Sequence, residues 1–376
     1  METLQESTAP TLEGLADAAA QAAEEADRTG QMEPRVIEKL RSSGLPSAFA
    51  PVADDGRCSF GWLTEQIVNI ARGCTSTGWL ASVYAYNGRF SRFMHEDAQA
   101  EIWRTPDVLI ASGLVPSGTA YRVDGGFVVS GEWQYVSGLS DAEWILLTAF
   151  VQGERPEPWL LALRADEVVA KETWEAIGMR ATASNSVVAS EVFVPERRAV
   201  RHSRVMAGEV ETAGMSPSIG VPLAAVGGLT FVAPAWAATS ALLDEVLAQV
   251  AIRSGDMDAV PEFVVLAIGE AAGALAGARA LMEEVSDALD AGMGWRRAGV
   301  LAHRSAYAAR LCRQALDALV PLVGTAALSQ PCATQRRWRD ASVALTHAAL
   351  SMNKPSAALA NHLLAAYFRS EGDGRS

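Results

Sequence analysis

The stretch that decides the fold is Tyr121-Arg-Val-Asp-Gly-Gly-Phe-Val-Val-Ser-Gly-Glu-Trp-Gln-Tyr-Val-Ser-Gly138, in which strand-forming residues flank an Asp-Gly-Gly sequence. Asp124, Gly125 and Gly126 tolerate the positive φ values that a tight hairpin turn requires. The segment therefore predicts two antiparallel strands joined by a short turn. Strand-like runs follow at 144–151, 159–163, 168–176 and 187–194. Their short connections are typical of an antiparallel sheet.

Segments whose apolar residues recur at helical spacing precede and follow this β region in the sequence. Pro34 lies at the first position of a helix whose apolar residues recur at Val36, Ile37 and Leu40, and Gly44 ends it. After about residue 206 the helical period returns and continues toward the C-terminus.

A row of glycines marks the C-terminal half of the chain. Gly269, Gly273 and Gly277 recur every four residues on one helix face, where they permit close approach of another backbone. This pattern predicts a tightly packed bundle. We therefore predict an α+β chain of three domains. They are an N-terminal α-helical domain at 1–107, a central antiparallel β-domain at 108–205 and a C-terminal four-helix bundle at 206–376.

Composition and charge exclude several classes of function. The net charge is −13, and Lys and Arg are spread without a cluster, so no nucleic-acid partner is expected. The 4 cysteines are far apart and no His lies at zinc-ligand spacing. This usage predicts a reducing cytoplasm and no metal site. The acidic N-terminus does not resemble a signal peptide. Residues 212–243 carry no charge, but prolines interrupt them and acidic residues flank them, so we expect a buried helix and no membrane span.

Several motifs of nucleotide and hydrolytic chemistry do not occur in the sequence. Neither a Gly-x-x-x-x-Gly-Lys-Ser/Thr phosphate loop nor a Gly-x-Gly-x-x-Gly fingerprint is found, so nucleotide hydrolysis and a Rossmann-bound nicotinamide are not indicated. No His-Glu-x-x-His or Gly-x-Ser-x-Gly motif is found either. The sequence leaves open the possibility that the chain binds a redox cofactor with another type of fold.

Three motifs in a fixed order carry a resemblance to a known family. Gly131-Glu-Trp-Gln-Tyr-Val-Ser-Gly138, followed by Trp144, resembles the strand beneath the flavin ring in the acyl-CoA dehydrogenase superfamily. Gly178-Met-Arg180 with Ser190-Glu-Val-Phe-Val-Pro195 resembles its second β motif. Arg336-Arg-Trp-Arg-Asp340 resembles the start of its last long helix. The resemblance spans essentially the whole chain and implies that superfamily's fold.

Within the superfamily, the details resemble the flavin-dependent monooxygenase branch. Dehydrogenases need a carboxylate to remove the α-proton of an acyl thioester. Its two known places fall here on Ala348 and within the uncharged residues 212–243. Instead, His347 stands beside the first place, seven residues after the Gln335-Arg-Arg-Trp-Arg-Asp340 string, and Pro116-Ser-Gly118 also resembles the monooxygenases.

This branch implies a two-component reaction. Reduced flavin (FADH2 or FMNH2) comes from a separate NAD(P)H-dependent flavin reductase and forms a C4a-hydroperoxide with O2. One oxygen atom then passes to a small aromatic, heteroaromatic or amine substrate, in catabolism or natural-product biosynthesis.

The same resemblance implies the site residues. Ser137 matches the hydroxyl residue that contacts flavin N5 or O4. His347 lies where an imidazole with a pKa close to working pH can hold or deliver a proton. Asn87 replaces the His with which phenol hydroxylases polarise the substrate hydroxyl, and an amide cannot act as a base. The residues implied in cofactor binding are Trp133, Tyr135, Ser137, Gly138, Thr182, Ser184, Arg253 and Gln335.

Alternatives stay open at the level of the sequence. Taken alone, Ser137 is a turn residue, His347 a core or surface histidine, and Arg253 a solvated helix end. The chain could also be an acyl-CoA dehydrogenase or oxidase with an unusual base, or a flavin-free binding member of the fold. We expect a homotetramer, with a dimer as the fallback, because residues 212–243 and the glycine row exceed what one bundle covers.

Overall fold

The structure is a computed structural model that describes residues 12, 14–51, 59–210, 218–329 and 332–372. These residues pack as two compact units. The first unit is drawn from Met1–Cys58, Ser76–Glu175 and Arg180–His202. The second is drawn from Ser59–Thr75, Ala176–Met179 and Ser203–Ser376. A helix from the predicted 1–107 domain therefore packs with the C-terminal helices.

The helices before the sheet follow the sequence signals. They are α1 (Leu15–Thr29), α2 (Pro34–Ser42), α3 (Phe60–Gly73), α4 (Thr75–Ser91) and α5 (Glu96–Ile102). α2 begins at Pro34 and buries Val36, Ile37 and Leu40. The backbone then turns at Gly44, whose φ is 77°. The predicted helix is confirmed.

The sheet lies wholly in the first unit. Its strands are β1 (Ile110–Gly113), β2 (Thr119–Val123), β3 (Gly126–Val136), β4 (Trp144–Val151), β5 (Glu157–Arg164), β6 (Val169–Lys171), β7 (Asn185–Pro195) and β8 (Ala199–Arg201). They lie in the order β6-β7-β3-β2-β4-β5-β8, and β1 also pairs with β4. β2 and β3 form the predicted hairpin. Val123 pairs with Gly126, which leaves Asp124 and Gly125 as the turn, and the φ of Gly125 is 76°.

Two details of the sheet differ from the prediction. β1 and β2 pair with β4 in parallel, because the β2–β3 hairpin is inserted in the chain between β1 and β4. The sheet is therefore not wholly antiparallel. β6 ends at Lys171 and does not continue to 176. The amide N–H groups of Thr173 and Trp174 both donate to Asn185 Oδ1 at 3.0 Å, so a side chain replaces a neighbouring strand as their partner.

Trp133 lies in the core of the first unit. It is 1% exposed, and its Nε1 donates to the carbonyl oxygen of Thr148 at 2.7 Å. Its ring packs where Gly118 and Gly131 lie back to back. A Cβ on Gly131 would fall 2.4 Å from the Cα of Gly118, so only glycine fits there. This packing explains why these glycines accompany Trp133 in the sequence.

The helices after the sheet include one long buried helix, α7 (Leu223–Ser254). They are α6 (His202–Ala207), α7 (Leu223–Ser254), α8 (Glu262–Asp290), α9 (Gly294–Ser329), α10 (Ala333–Ala344) and α11 (Asn353–Gly372). Within the second unit, α3, α8, α9 and α10 all pack on α7. The predicted buried helix is confirmed for residues 223–243, while 212–217 lie outside the described residues.

α8 is covered much less than α7. Both helices are long and apolar enough to cross a membrane by length and composition. However, 72% of the most apolar 18-residue window is buried in α7, against 22% in α8. A Cβ on Gly269 or Gly273 would meet no described atom within 4 Å. The prediction that this glycine row admits a neighbouring backbone of the same chain is therefore wrong at these two positions.

Candidate active site

A chain of hydrogen-bonded hydroxyls lies at the end of β3. Ser137 is half-buried there, and the indole Nε1 of Trp79 on α4 donates to its Oγ at 3.1 Å. Ser137 Oγ lies 2.7 Å from Ser184 Oγ, which in turn lies 2.7 Å from Thr182 Oγ1. Ser184 and Thr182 are buried. The structure thus brings together three of the residues predicted from the sequence.

Gly138 fixes the backbone beside this chain. Its φ is 71°, and a Cβ at this position would lie 2.4 Å from the phenolic oxygen of Tyr84. The Tyr84 hydroxyl donates to the carbonyl oxygen of Gly138 at 2.7 Å, and the Gly138 N–H donates to the carbonyl oxygen of Thr182 at 3.0 Å. Burial raises the pKa of Tyr84 well above its usual value, so the phenol stays protonated. These bonds hold Ser137 in place.

An aromatic pair is formed by the exposed Tyr135, two residues before Ser137, and the half-buried Trp174. Tyr135 has a φ of 62°, which is rare for a residue with a side chain, and it is 71% exposed. Strained backbone of this kind occurs often at functional sites. The ring of Trp174 packs edge-on against Tyr135 with centroids 6.2 Å apart. Sequence reasoning missed Trp174, because its segment had been predicted as regular strand.

Two of the predicted site residues make contacts inside the first unit. Trp133 is buried in the core and is not accessible to a cofactor, so its assignment to cofactor binding is wrong. Asn87 is 5% exposed, and both ends of its amide are engaged. Nδ2 donates to the carbonyl oxygen of Ile110 at 2.8 Å, and Oδ1 accepts from Ser112 Oγ at 2.8 Å. The amide of Asn87 is therefore engaged by hydrogen bonds within the first unit.

His347 lies in the second unit, between α10 and a short helical turn at Ala348–Leu350. Its ring stacks on Phe231 with centroids 3.6 Å apart. Its Nδ1 accepts from the backbone N–H of Ala349 at 3.2 Å, so the neutral ring carries its proton on Nε2. Burial lowers the pKa of His347 to about 4. A pKa near working pH was expected, so this expectation is wrong. At neutral pH the ring is a hydrogen-bond donor through Nε2 and carries no charge.

Arg253 and Gln335 hold the second unit together. Arg253 Nη2 donates to the carbonyl oxygen of Leu322 at 3.0 Å, next to the kink of α9 at Gly324. The amide of Gln335 donates to the carbonyl oxygen of Leu328 at 3.0 Å and accepts from Arg339 Nε at 3.1 Å. Their predicted roles in cofactor binding stay predictions, with structural roles now described for both.

The Arg-Asp pair of α10 supports the Gly178-Met-Arg180 motif. Asp340 is 4% exposed, and its carboxylate accepts from the backbone N–H of Met179 at 2.6 Å. Met179 has a φ of 56°, and the guanidinium of Arg339 donates to the carbonyl oxygen of Ile177. Two motifs that are about 160 residues apart in the sequence thus form one structural element. Among the described residues, no cluster of His, Cys, Asp and Glu could hold a metal ion.

Comparison with known proteins agrees with this arrangement. The family described as acyl-CoA dehydrogenase, C-terminal domain, matches residues 229–352. The chain is 28% identical to the FADH(2)-dependent resorcinol hydroxylase, oxygenase component, of Rhizobium sp. (strain MTP-10005), covering 90% of this chain and 89% of the relative. The crystal structure of the HsaA monooxygenase from Mycobacterium tuberculosis superposes with a TM-score of 0.87 at 25% identity, covering 94% of this chain and 96% of that chain. Dibenzothiophene monooxygenase (TdsC) from Paenibacillus sp. A11-2, at 20% identity and a TM-score of 0.78 over 94% of this chain and 96% of that chain, shares the fold.

The chain therefore has the acyl-CoA dehydrogenase fold, as predicted. Within that superfamily it is similar, over nearly its whole length, to flavin-dependent monooxygenases, which are oxygenase components. The residues at the end of β3 suit a flavin ring. Tyr135 and Trp174 supply an aromatic surface, and Ser137, two residues after Tyr135 in the sequence, supplies a half-buried hydroxyl. When bound, the flavin supplies the electrons that activate O2.

Proposed function

We propose that this chain inserts one atom of O2 into a small aromatic, heteroaromatic or amine substrate through a C4a-hydroperoxyflavin. A separate NAD(P)H-dependent reductase supplies the reduced flavin. The observation that carries this proposal is the half-buried Ser137 hydroxyl, fixed by Trp79 and Ser184 at the end of the segment that carries the exposed Tyr135. A fixed hydroxyl next to an aromatic surface suits a hydrogen bond to flavin N5 or O4.

A proton-donating group in the second unit supports the same reaction class. His347 carries its proton on Nε2 and has no charge at neutral pH. The positions at which dehydrogenases carry their base are Ala348 and an uncharged run that includes the first turns of α7. Without a carboxylate there, removal of an α-proton has no acceptor. We therefore assign His347 to hydrogen bonding near the reacting oxygen.

The Asn87–Ser112 pair favours a substrate that donates a hydrogen bond. Because Asn87 Nδ2 is directed at the carbonyl oxygen of Ile110, its Oδ1 is the acceptor for the Ser112 hydroxyl. The hydroxyl hydrogen of Ser112 is used in this hydrogen bond, so Ser112 can only accept a hydrogen bond from a ligand. A phenol O–H, an indole N–H or an amine N–H matches this polarity, and a phenolate oxygen does not.

A single anaerobic experiment separates the proposed function from acyl-CoA dehydrogenation. Oxidised enzyme–flavin complex is mixed with acyl-CoA thioesters of several chain lengths, and the flavin absorbance is followed. We expect no bleaching. In a second mixing, the reduced complex meets O2 in a stopped-flow instrument, and we expect the absorbance of a C4a-adduct before oxidised flavin appears. Bleaching by an acyl-CoA would assign the chain to the dehydrogenases instead.

The proposed function is consistent with a cytoplasmic location and an oligomeric enzyme. Four dispersed cysteines suit a reducing cytoplasm, where NAD(P)H for the reductase is available. We further propose that the chain acts as a homotetramer, or as a dimer, with no nucleic-acid or membrane partner. The uncovered face of α8 supports the assembly.

A further inference from the structure

The three hydroxyls at Ser137, Ser184 and Thr182 form a chain whose direction is not fixed by its own geometry. Each neighbouring pair is 2.7 Å apart, and either oxygen of a pair can be the donor. The bond from Trp79 is different, because an indole N–H can only donate. Ser137 therefore always accepts one hydrogen bond from Trp79, and the direction of its bond to Ser184 decides what it offers outward.

Two arrangements satisfy these bonds. In the first, Ser137 donates to Ser184, and its remaining lone pair can accept a hydrogen bond from a ligand. In the second, Ser184 donates to Ser137, which then accepts two bonds and directs its own hydrogen outward. The two arrangements differ only by rotation of hydroxyl hydrogens, so no heavy atom has to move.

We propose that Ser184 is a positioning residue that lets Ser137 alternate between accepting and donating toward flavin N5. The proposal rests on the function proposed above. N5 of a reduced flavin bears a hydrogen and needs an acceptor, whereas N5 of an oxidised flavin bears a lone pair and needs a donor. The hydroxyl chain satisfies both forms. Ser184 is 5% and Thr182 1% exposed, so water does not readily replace either hydroxyl.

Loss of the Ser184 hydroxyl has an unequal effect on the two flavin forms. In Ser184→Ala, Ser137 can still donate to oxidised N5 while it accepts from Trp79. When it accepts from reduced N5–H, its own hydrogen has lost its acceptor at Ser184, and a donor without a partner beside a bound flavin is unfavourable. We expect the affinity for reduced FAD to fall about tenfold relative to that for oxidised FAD. This ratio lowers the midpoint potential of the bound flavin by about 30 mV.

The experiment compares binding of oxidised FAD with anaerobic binding of dithionite-reduced FAD, for the parent and for variants. Ser184→Thr keeps a hydroxyl and should restore the parent ratio. Thr182→Val, which interrupts the chain one step further on, should shift the ratio in the same direction if Ser184→Ala does not fold. Ser140→Ala removes an exposed serine that bonds only to Asp141 in the structure and should leave both affinities unchanged.

The outcomes separate this inference from the proposed function. An equal loss of affinity for both flavin forms in Ser184→Ala would mean a purely structural role and would overturn the inference. An unchanged ratio in both Ser184→Ala and Thr182→Val would overturn it too. Failure of the parent protein to bind reduced flavin at all would instead overturn the proposed function.

Discussion

At Ser137 one hydroxyl is held by three elements of the first unit. α4 supplies Trp79, the end of β3 supplies Ser137 itself, and the segment before β7 supplies Ser184. Gly138 adds a backbone bond to Thr182. Such a group loses little conformational freedom when it forms a further hydrogen bond, because its position is already fixed. A hydrogen bond from Ser137 to a bound flavin should therefore cost little conformational entropy.

Ser137→Ala should still bind reduced flavin, because the aromatic surface at Tyr135 and Trp174 remains. Without the hydrogen bond at N5, hydrogen peroxide should leave several-fold faster relative to oxygen transfer, in line with the loss of about one hydrogen bond. The measurement is the ratio of hydroxylated product to flavin oxidised, with Ser140→Ala as the control. A ratio at the parent level would remove Ser137 from this role.

His347 makes folding stability depend on pH. Its pKa in the fold is about 4, below its ordinary value of 6.5, so the folded state binds fewer protons than the unfolded state between these values. Stability is therefore fully present above about pH 6.5 and is lost as the pH falls toward 4. The upper bound of this loss is about 3 kcal/mol, and partial solvent exposure reduces it.

His347→Asn removes the titrating ring but keeps an acceptor for the N–H of Ala349, as asparagine is a good N-cap. We expect the variant to lose less stability between pH 7 and pH 5 than the parent does, measured by urea unfolding. His95→Asn is a matched control, since His95 also caps a helix through Nδ1 but is exposed. An identical pH dependence in parent and His347→Asn would contradict the low pKa.

At the scale of elements, α10 is attached to the turn at Ile177–Met179 by backbone contact as well as by side chains. A Cβ on Gly178 would lie 2.3 Å from the carbonyl carbon and oxygen of Arg339. Backbone atoms cannot yield as a flexible side chain can, so the helix would have to shift. The same helix carries Asp340, whose buried carboxylate holds the N–H of Met179.

Gly178→Ala should therefore destabilise the protein strongly, by about 3 kcal/mol or more. Gly153→Ala is the matched control, because a Cβ there meets nothing within 4 Å. Chemical unfolding of the two variants at pH 7.5 measures the difference. Equal stability of Gly178→Ala and Gly153→Ala would mean that α10 does not approach this turn as closely as described.

The elements that the sequence predicted are those determined by local signals. The β2–β3 hairpin follows from Asp124-Gly125, and α2 follows from Pro34 and Gly44. The end of β6 was not predictable from its own residues, because the partner of Thr173 and Trp174 is the distant Asn185. Likewise the sequence identifies Ser184 as a polar loop residue but does not reveal that its hydroxyl lies 2.7 Å from that of Ser137.

The roles of individual site residues depend on packing that the sequence does not contain. Trp133 occurs in the flavin-strand motif, yet its contacts with Thr148 and two glycines place it in the core. Asn87 occurs at a substrate-binding register, yet its amide is shared between Ile110 and Ser112. A family motif therefore does not determine the contacts of the side chains that it contains.

At the scale of the whole molecule, α8 presents an apolar face that the described residues of the chain leave exposed. Phe263 and Leu266 are 67% and 65% exposed. Gly269 and Gly273 continue at helical spacing, with no described atom within 4 Å of a Cβ at either position. A stripe of large and then very small residues suits close packing against another helix. Since the net charge of −13 is shared by every copy, apolar contact is the attraction available between copies on this face.

Gly273→Leu should disrupt assembly without disturbing the fold of one chain. A Cβ at this position meets no described atom within 4 Å, and leucine favours the helix by up to about 1 kcal/mol over glycine. A second copy packed on this face would be held away by the side chain.

Gly299→Leu is the matched control, since Gly299 is also an exposed helical glycine with no described atom within 4 Å of a Cβ. By light scattering at micromolar concentration, we expect a tetramer or dimer for the parent and for Gly299→Leu, and a smaller species for Gly273→Leu with unchanged helical circular dichroism. A monomeric parent protein would refute the assembly, and a Gly273→Leu variant that assembles like the parent would place the interface elsewhere.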